Sequence, residues 1–186
     1  MNTEIEEVRL YTILIFTENC TGALSLVSNV FTRRQVNIES ITACYSSIPG
    51  VHKYTITCYC TESMVNMLVL QMERKIDVLK AKFYTDDEIY SREMTLQKLS
   101  SPRLWEDKEI SRIIDRHNGR IVEVNPIYTI VEKMGFTDEI EEYYNALQRH
   151  NCVLQFVRTG RTSITRSDVE ELERYLEDRE RERPDV

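Results

Sequence analysis

The sequence predicts six secondary-structure elements in the order β-α-β-β-α-β, and it predicts this order twice along the chain. In the first half, runs of aliphatic and β-branched residues predict strands, and apolar residues at helical spacing predict two amphipathic helices. The predicted strands are 8–16, 37–45, 51–60 and 77–84, and the helices lie around 23–31 and 64–76. A split β-α-β order of this kind is the ferredoxin-like unit, an open sheet with helices on one face.

The second half repeats the order with shorter strands. The predicted strands are 90–99, 121–124, 127–131 and 152–157, and the helices are 106–117 and 137–150. The predicted fold class is therefore α+β, with two ferredoxin-like βαββαβ units in tandem. The predicted domains are 1–86 and 87–166, followed by a charged tail, helical or disordered, at 167–186.

The open face of each sheet must be covered by something. The first and third strands of the first unit carry apolar residues on both faces, which favours burial by a second sheet, a second copy or another chain. We therefore expect assembly into at least a dimer.

Charge and cysteine content exclude several classes of protein. The net charge is −7, and the last 20 residues account for −5 of it through nine acidic and four basic side chains. We expect no nucleic-acid partner, because no basic face is evident. We expect no membrane association, because no apolar run reaches roughly 18 residues. The acidic start does not resemble a signal peptide, and an odd number of cysteines argues against a disulfide framework, so a reducing, cytoplasmic location is expected.

Constellations of catalytic or metal-binding residues are not convincing in this sequence. The three histidines are widely spaced, and no glycine-rich phosphate loop occurs. Cys58 and Cys60 lie two apart and share one face of a strand, but a tetrahedral metal site needs more ligands than this pair supplies. We interpret them as thiols of the core. An enzyme in its own right is the weakest of the functional hypotheses.

The loop that joins the first strand to the first helix is the most informative stretch. It reads Glu18-Asn19-Cys20-Thr21-Gly22-Ala23-Leu24. The free amides and the dipole of the helix N-terminus favour an anion there, such as an amino-acid carboxylate, and glycine permits close approach of a ligand. The alternative is a loop without a ligand, in which Thr21 or Asn19 accepts hydrogen bonds from the free amides.

Two basic clusters and the tail each leave an alternative open. Arg33-Arg34 and the segment 158–166 are interpreted as a solvated helix end and an exposed strand exit, although the second cluster could contact a partner. In the tail, 167–170 fits a capping box, and three apolar residues follow it. They are Leu172, Tyr175 and Leu176. The tail is either a solvated helix or a docking helix for a partner.

At the loop the sequence resembles the acetolactate synthase small subunits. TENCTGALSLVSNVFTRRQVNIESITA is similar to that family's E-N-x-x-G-A-L-S-R-V stretch, followed by a helix and R-R-G-[YF]-N-I-E-S-L-T. Further similar segments follow in the family's order at 76–84, 91–99 and 119–135. The resemblance covers about residues 8–166.

The resemblance implies an ACT domain in the first unit and a regulatory subunit that is not catalytic. Such subunits bind a large catalytic subunit, which uses thiamine diphosphate, FAD and magnesium, whereas the small subunit itself holds no cofactor. They raise the activity of the large subunit and make it sensitive to a branched-chain amino acid, valine, which binds where two ACT domains pair.

Carried over residue by residue, the effector site draws on two protomers. One protomer would contribute Asn19, Gly22, Ala23 and Leu24, and the other Asn37 and Ile38. The sequence also departs from the family pattern. Gln35 stands where the family has glycine, and glycine there commonly supplies a positive φ. Gln35 is therefore expected to be strained or to force a different turn.

Three further departures and one alternative function complete the prediction. Leu26 replaces the usual arginine, 46–52 differs from the family's acidic connection, and the tail beyond Ser167 is longer than expected. The alternative function is a free-standing ACT-type amino-acid sensor that regulates another enzyme. The first half supports both hypotheses equally, whereas GRIVEVNP in the second half argues for the synthase subunit.

Overall fold

The computed structural model describes residues 6–168 and 171–181. These residues form two compact units. The first comprises the described residues up to Tyr90 and those from Ser163 onward, and the second is Ser91–Thr162. As domain boundaries, the segments 1–86, 87–166 and 167–186 stay a prediction.

The elements of the first unit follow the predicted order. They are β1 (Arg9–Glu18), α1 (Ala23–Arg34), β2 (Ser40–Tyr45), β3 (Val51–Cys60), α2 (Glu62–Glu73) and β4 (Val78–Tyr84). The strands form an antiparallel sheet in the order β2-β3-β1-β4. This is the ferredoxin-like topology predicted from the sequence.

The core of the first unit lies between its sheet and its two helices. Ile13 and Ile15 of β1 pack with Val27 and Phe31 of α1 and with Leu68 of α2, and all five are buried. The intervening residues of β1 point to the opposite face, because side chains alternate along a strand. That face of β1 is buried too, as the sequence predicted.

Gln35 ends α1 in the left-handed conformation, with φ 56° and ψ 35°. Its amide donates hydrogen bonds to the carbonyls of Phe31 and Thr32. The chain thus keeps the turn that glycine normally makes, with a strained residue, instead of adopting a different turn. A non-glycine residue in this conformation costs about 1 kcal/mol.

The second unit repeats the sheet order of the first. Its elements are β5 (Ile89–Ser100), which begins at the end of the first unit, α3 (Ser101–Glu106), α4 (Lys108–Arg116), β6 (Arg120–Val124), β7 (Tyr128–Gly135), α5 (Thr137–Gln148) and β8 (Val153–Arg158). The strands run in the order β6-β7-β5-β8, and a short strand β9 (Thr162–Thr165) also pairs with β5. The fold class of two tandem ferredoxin-like units is confirmed.

The helix predicted over 106–117 is confirmed as α4, and a short helix that was not predicted, α3, directly precedes it. Pro102 lies in the first turn of α3, where its missing N–H is not needed. Asp107 separates the helices and caps α4 by accepting a hydrogen bond of 2.9 Å from the amide of Glu109. The sequence did not predict α3 because SPRLWE is too short to show a helical repeat.

The sheet of the second unit is unusual because its inner face is partly polar. Leu99 joins the apolar cluster beneath α4 and α5, but Glu93, Thr95 and Gln97 of the same face are buried as well. The opposite face exposes apolar side chains. They are Met94, Leu96, Met134 and Val157.

The tail helix α6 (Glu171–Arg181) packs on the first unit of its own chain. Leu172 is fully buried in a cluster with Leu14 and Phe16 of β1, and Tyr175 and Leu176 pack at its edge. The helix is therefore not fully solvated, because its apolar residues pack on the outward face of β1. The predicted capping box includes residues 169 and 170, which lie outside the described residues.

Arginines of the basic segment 158–166 make contacts within the chain. Arg158 bonds Glu93, Arg161 Nε donates to Thr137 Oγ1 at 3.2 Å, and Arg166 Nε donates to the carbonyl of Ile89 at 3.1 Å. These bonds account for the cluster without a partner. In the part of the chain that the structure describes, no helix has the length and apolarity to cross a bilayer.

Candidate functional site

The loop between β1 and α1 is held in place by backbone hydrogen bonds to two neighbouring turns. The amide of Glu18 donates to the carbonyl of Asp77 and that of Asn19 donates to the carbonyl of Gly50, both at 2.9 Å. Gly50 belongs to the connection between β2 and β3, and Asp77 directly precedes β4. The loop conformation is thus fixed by the sheet.

Helix α1 begins without a side-chain cap. Gly22 is the N-cap residue, with φ 92°, and no side chain bonds the first amides. The predicted caps, Thr21 and Asn19, do not take this role, because the left-handed Gly22 itself turns the chain into the helix. Among the described residues, the amides of Gly22, Leu24 and Ser25 have no hydrogen-bond partner.

These amides have the chemistry that an anion-binding site requires. The first turn of α1 contains no acidic residue, so the positive end of the helix dipole is not compensated there. Unpaired N–H groups at a helix N-terminus suit a carboxylate or a similar oxyanion. A Cβ built on Gly22 meets no atom within 4 Å, so the position that a side chain would take at Gly22 is open.

The side chains that follow Gly22 point in different directions. Ala23 is buried in the core, so only its backbone can face a ligand. Leu24 is 52% exposed, and Asn19, which precedes Gly22 on the same loop, is exposed as well. The loop that carries the open amides therefore also exposes an apolar and an amide side chain.

Asn37 and Ile38 lie at the other end of α1, between that helix and β2. Ile38 is half-buried against the core, and Asn37 is exposed. Since α1 has 12 residues, the two groups of predicted site residues lie about 18 Å apart along the helix. One chain does not bring them together, which agrees with a site that needs two protomers.

The edge strand β2 offers a geometry that would join the two groups. It pairs only with β3 among the described strands, so its outer edge is open. The end of β2 at Tyr45 is near the loop, because Tyr45 pairs with His52 and His52 pairs with Thr17 of β1. The other end of β2, at Ser40, follows Ile38 in sequence. Antiparallel pairing of two β2 edges would set the Ser40 end of one chain beside the Tyr45 end of the other.

The cysteine pair of β3 belongs to the core. The Sγ atoms of Cys58 and Cys60 lie 3.9 Å apart, and both residues are buried in the apolar cluster. The hydrogen bond between them and burial both raise the pKa of Cys58, so its thiol is protonated at neutral pH. The interpretation as core thiols is confirmed. No group of three potential metal ligands occurs in the described ranges.

One feature of the first unit was missed from the sequence, a basic cleft between α1 and α2. The sequence singled out Arg33 and Arg34, but not their neighbours in space, Arg74 and Lys75. The available signal was a second basic pair near the end of the second predicted helix. Nothing in the sequence places the two pairs together.

The fold and the loop at Gly22 define the class of protein. The chain is a tandem ferredoxin-like protein whose first unit matches the family model "AHAS small subunit-like ACT domain" over residues 13–80. The second unit matches "Small subunit of acetolactate synthase" over residues 92–167.

Relatives and a solved structure agree with both matches. The acetolactate synthase small subunit of Haemophilus influenzae is 30% identical over 160 residues, which cover 86% of this chain and 96% of that protein. The small subunit of Bacillus subtilis is 31% identical over 155 residues, which cover 83% and 89%. The crystal structure of the small subunit from Thermotoga maritima has a TM-score of 0.78 at 26% identity, covering 87% and 99%. The chain therefore belongs to the acetolactate synthase small-subunit family.

Proposed function

We propose that this chain is the regulatory subunit of an acetolactate synthase and has no catalytic role of its own. It binds a separate catalytic subunit, raises its activity and confers feedback inhibition by a branched-chain amino acid in valine, leucine and isoleucine biosynthesis. The observation that carries the proposal is the open set of amides at Gly22, Leu24 and Ser25, in a chain of this family.

The effector in this proposal is valine, bound between two ACT domains. The open amides receive its carboxylate, and Asn19 orients its polar groups. Asn37 of the second protomer adds a hydrogen bond, and Leu24 with Ile38 covers the branched side chain. Pairing through the β2 edges forms the homodimer and unites the residues that one chain keeps about 18 Å apart.

In this proposal the second unit provides the surface that binds the catalytic subunit. Met94, Leu96, Met134 and Val157 expose an apolar sheet face, and contiguous apolar surface of this kind is typical of protein interfaces. In this proposal the catalytic subunit, and not this chain, holds thiamine diphosphate, magnesium and FAD. The assembly works in the cytoplasm.

A free-standing amino-acid sensor is the alternative function. An ACT unit alone would serve it equally well. The family match over residues 92–167 favours the synthase subunit, because a sensor of another enzyme has no need of this second unit. Acetolactate formation by the chain alone, without a catalytic subunit, would instead contradict its non-catalytic role.

The decisive experiment uses the reconstituted holoenzyme and the substitution Gly22→Asp. A carboxylate at this position occupies the place of the effector carboxylate, and aspartate tolerates the left-handed conformation better than most residues. We expect activation to persist and inhibition by valine to be lost. Gly22→Asn is the matched control, because asparagine has nearly the same shape as aspartate and tolerates the left-handed conformation equally well but carries no charge, and it should keep inhibition.

Three results would overturn the proposal. If the wild-type chain leaves the rate of its cognate catalytic subunit unchanged, the chain is not its regulatory subunit. If activation occurs but none of valine, leucine and isoleucine inhibits, feedback is not its function. If Gly22→Asp retains full inhibition, the effector site lies elsewhere.

A further inference from the structure

A cleft of about 670 Å³ lies between α1 and α2, away from the loop at Gly22. Four cationic side chains line it, together with two amides and two apolar residues. They are Arg33, Arg34, Arg74 and Lys75, then Asn29 and Gln71, then Leu26 and Val30. We propose that this cleft binds a small molecule through a multiply charged phosphoryl group.

The charge of the cleft is the first argument. The whole chain carries −7, yet these four cations have no carboxylate within 4.0 Å among the described residues. The acidic residue next to them in sequence, Glu73, instead bonds Lys80 at 2.8 Å. Like charges gathered in one cleft repel each other, and a bound anion relieves that repulsion. An acidic protein therefore presents a local positive site.

The geometry of the donors is the second argument. When the Gln71 amide is assigned the orientation that satisfies its hydrogen bonds, its oxygen accepts from Nη2 and Nε of Arg34, the latter at 3.0 Å. This contact orders one guanidinium at the wall of the cleft. Planar guanidinium groups bind phosphate oxygens in a bidentate manner, and a lysine adds a point charge. Three arginines and one lysine thus match a phosphoryl group better than a lone carboxylate.

Helix capping explains part of the cluster but not the cleft. Arg33 and Arg34 lie in the last turn of α1, and Arg74 is the C-cap of α2. Cations at these positions interact favourably with the negative end of the helix dipole. Capping needs neither the amides of Asn29 and Gln71 nor an open volume. That volume falls in the range of small-molecule sites, roughly 300–1,000 Å³. The two explanations differ in one result, since capping alone predicts no saturable ligand.

The test is calorimetric titration of the full-length chain with inorganic pyrophosphate in about 0.15 M KCl, where exposed charges are screened beyond about 8 Å. We expect saturable binding at one ligand per chain. The double variant Arg33→Gln/Arg74→Gln should weaken it at least about 10-fold, the loss expected from removing charge-assisted hydrogen bonds. Arg112→Gln/Arg116→Gln in α4 is the matched control, because the ion pairs of these exposed arginines with described residues all go to Glu109, and it should bind like the wild type. Thermal melting verifies that each variant is folded.

The source of the phosphoryl group is settled by a second titration with a nucleoside diphosphate. Tighter binding than pyrophosphate, lost in Leu26→Ser, means that the apolar wall holds an organic group. Equal affinity means that the phosphoryl group alone is recognised. Absence of saturable binding, an equal loss in the α4 control, or tighter binding of a polyglutamate peptide would overturn the proposal. None of these results depends on whether valine inhibits the holoenzyme.

Discussion

Arg158 Nη2 lies 2.7 Å from Glu93 Oε2, and this ion pair joins β8 to β5 in the second unit. The carboxylate of Glu93 is only 3% exposed, and it also accepts a hydrogen bond of 2.6 Å from Thr137 Oγ1. A buried carboxylate is stable only when it is paired and hydrogen-bonded. The stability of the polar inner face of this sheet therefore depends on Arg158, which pairs with the buried carboxylate of Glu93.

Arg158→Met should lower the free energy of unfolding by about 3 kcal/mol, because it leaves a buried charge without its partner. Methionine retains most of the apolar stem, so the loss reports the charge and not the packing. Urea unfolding measures the difference. Glu141→Ala is the control, since this exposed carboxylate lies 3.8 Å from Arg158 Nη1 and should change stability by less than about 0.5 kcal/mol. A loss below about 1 kcal/mol in Arg158→Met would show that the pair is not needed.

Gln35→Gly should stabilise the first unit by about 1 kcal/mol. Gln35 has a φ of 56° at the end of α1, a conformation that glycine adopts without steric cost. Thermal or urea unfolding checks the gain. Arg34→Gly, one residue earlier and inside the helix, should destabilise by about 1 kcal/mol. A destabilising effect of Gln35→Gly would mean that the Gln35 side chain contributes more to stability than its backbone strain costs.

Acid should weaken the cap of α4. The hydrogen bond from His150, at 2.7 Å, and that from the amide of Glu109 hold the pKa of Asp107 below its ordinary value. The folded state therefore favours the charged carboxylate. This contribution to stability is complete above the unfolded pKa, about 3.9, and is lost as the pH falls through the lower folded pKa.

Asp107→Asn tests that pH dependence, because asparagine remains a good N-cap but does not titrate. The stability difference between wild type and variant should shrink as the pH falls below about 4. Urea unfolding at a series of pH values measures it. A difference that is the same at pH 3 and pH 6 would exclude Asp107 as the titrating group.

Leu172→Ala should release α6 from the first unit. Leu172 is fully buried against Leu14 and Phe16, and truncation of a buried leucine costs about 2–5 kcal/mol. That loss exceeds what a short charged helix gains on its own, since isolated helices below about 12 residues are marginal. Amide hydrogen exchange should become fast in α6 while β1 stays protected. Glu173→Ala, at an exposed position, should leave exchange unchanged. Unchanged protection of α6 in Leu172→Ala would show that other contacts hold the helix.

Local patterns predicted most of the fold, because periodicity marks strands and helices directly. Val51–Cys60 was predicted with the bounds that the structure shows. The polar inner face of β5 was not predictable, because Glu93 is buried through an arginine 65 residues away. The same holds for the tail, whose apolar stripe was visible although its contact with Leu14 depends on the tertiary fold.

The candidate site was also predictable only in part from the sequence. The loop at Gly22 could be predicted because the strand, the glycine and the helix start are adjacent in sequence. The basic cleft could not, because Arg33 and Arg74 come together only when α1 packs beside α2. The joining of Gly22 with Asn37 depends on a second chain, and no pattern within one sequence specifies its register.

Asn37→Ala should separate effector binding from folding. The side chain is exposed in the single chain and makes no hydrogen bond among the described residues, so stability should not change. In the dimer of the proposed function it meets the effector, and loss of a hydrogen bond to a charged group should weaken binding by about 1 to 3 kcal/mol. Calorimetric titration of the full-length chain with valine, leucine and isoleucine measures this. Asn66→Ala is the control, because this exposed side chain of α2 donates a hydrogen bond to the carbonyl of Glu62 within its own helix. An unchanged dissociation constant in Asn37→Ala would place Asn37 outside the site and leave the open amides of α1 to bind the effector without it.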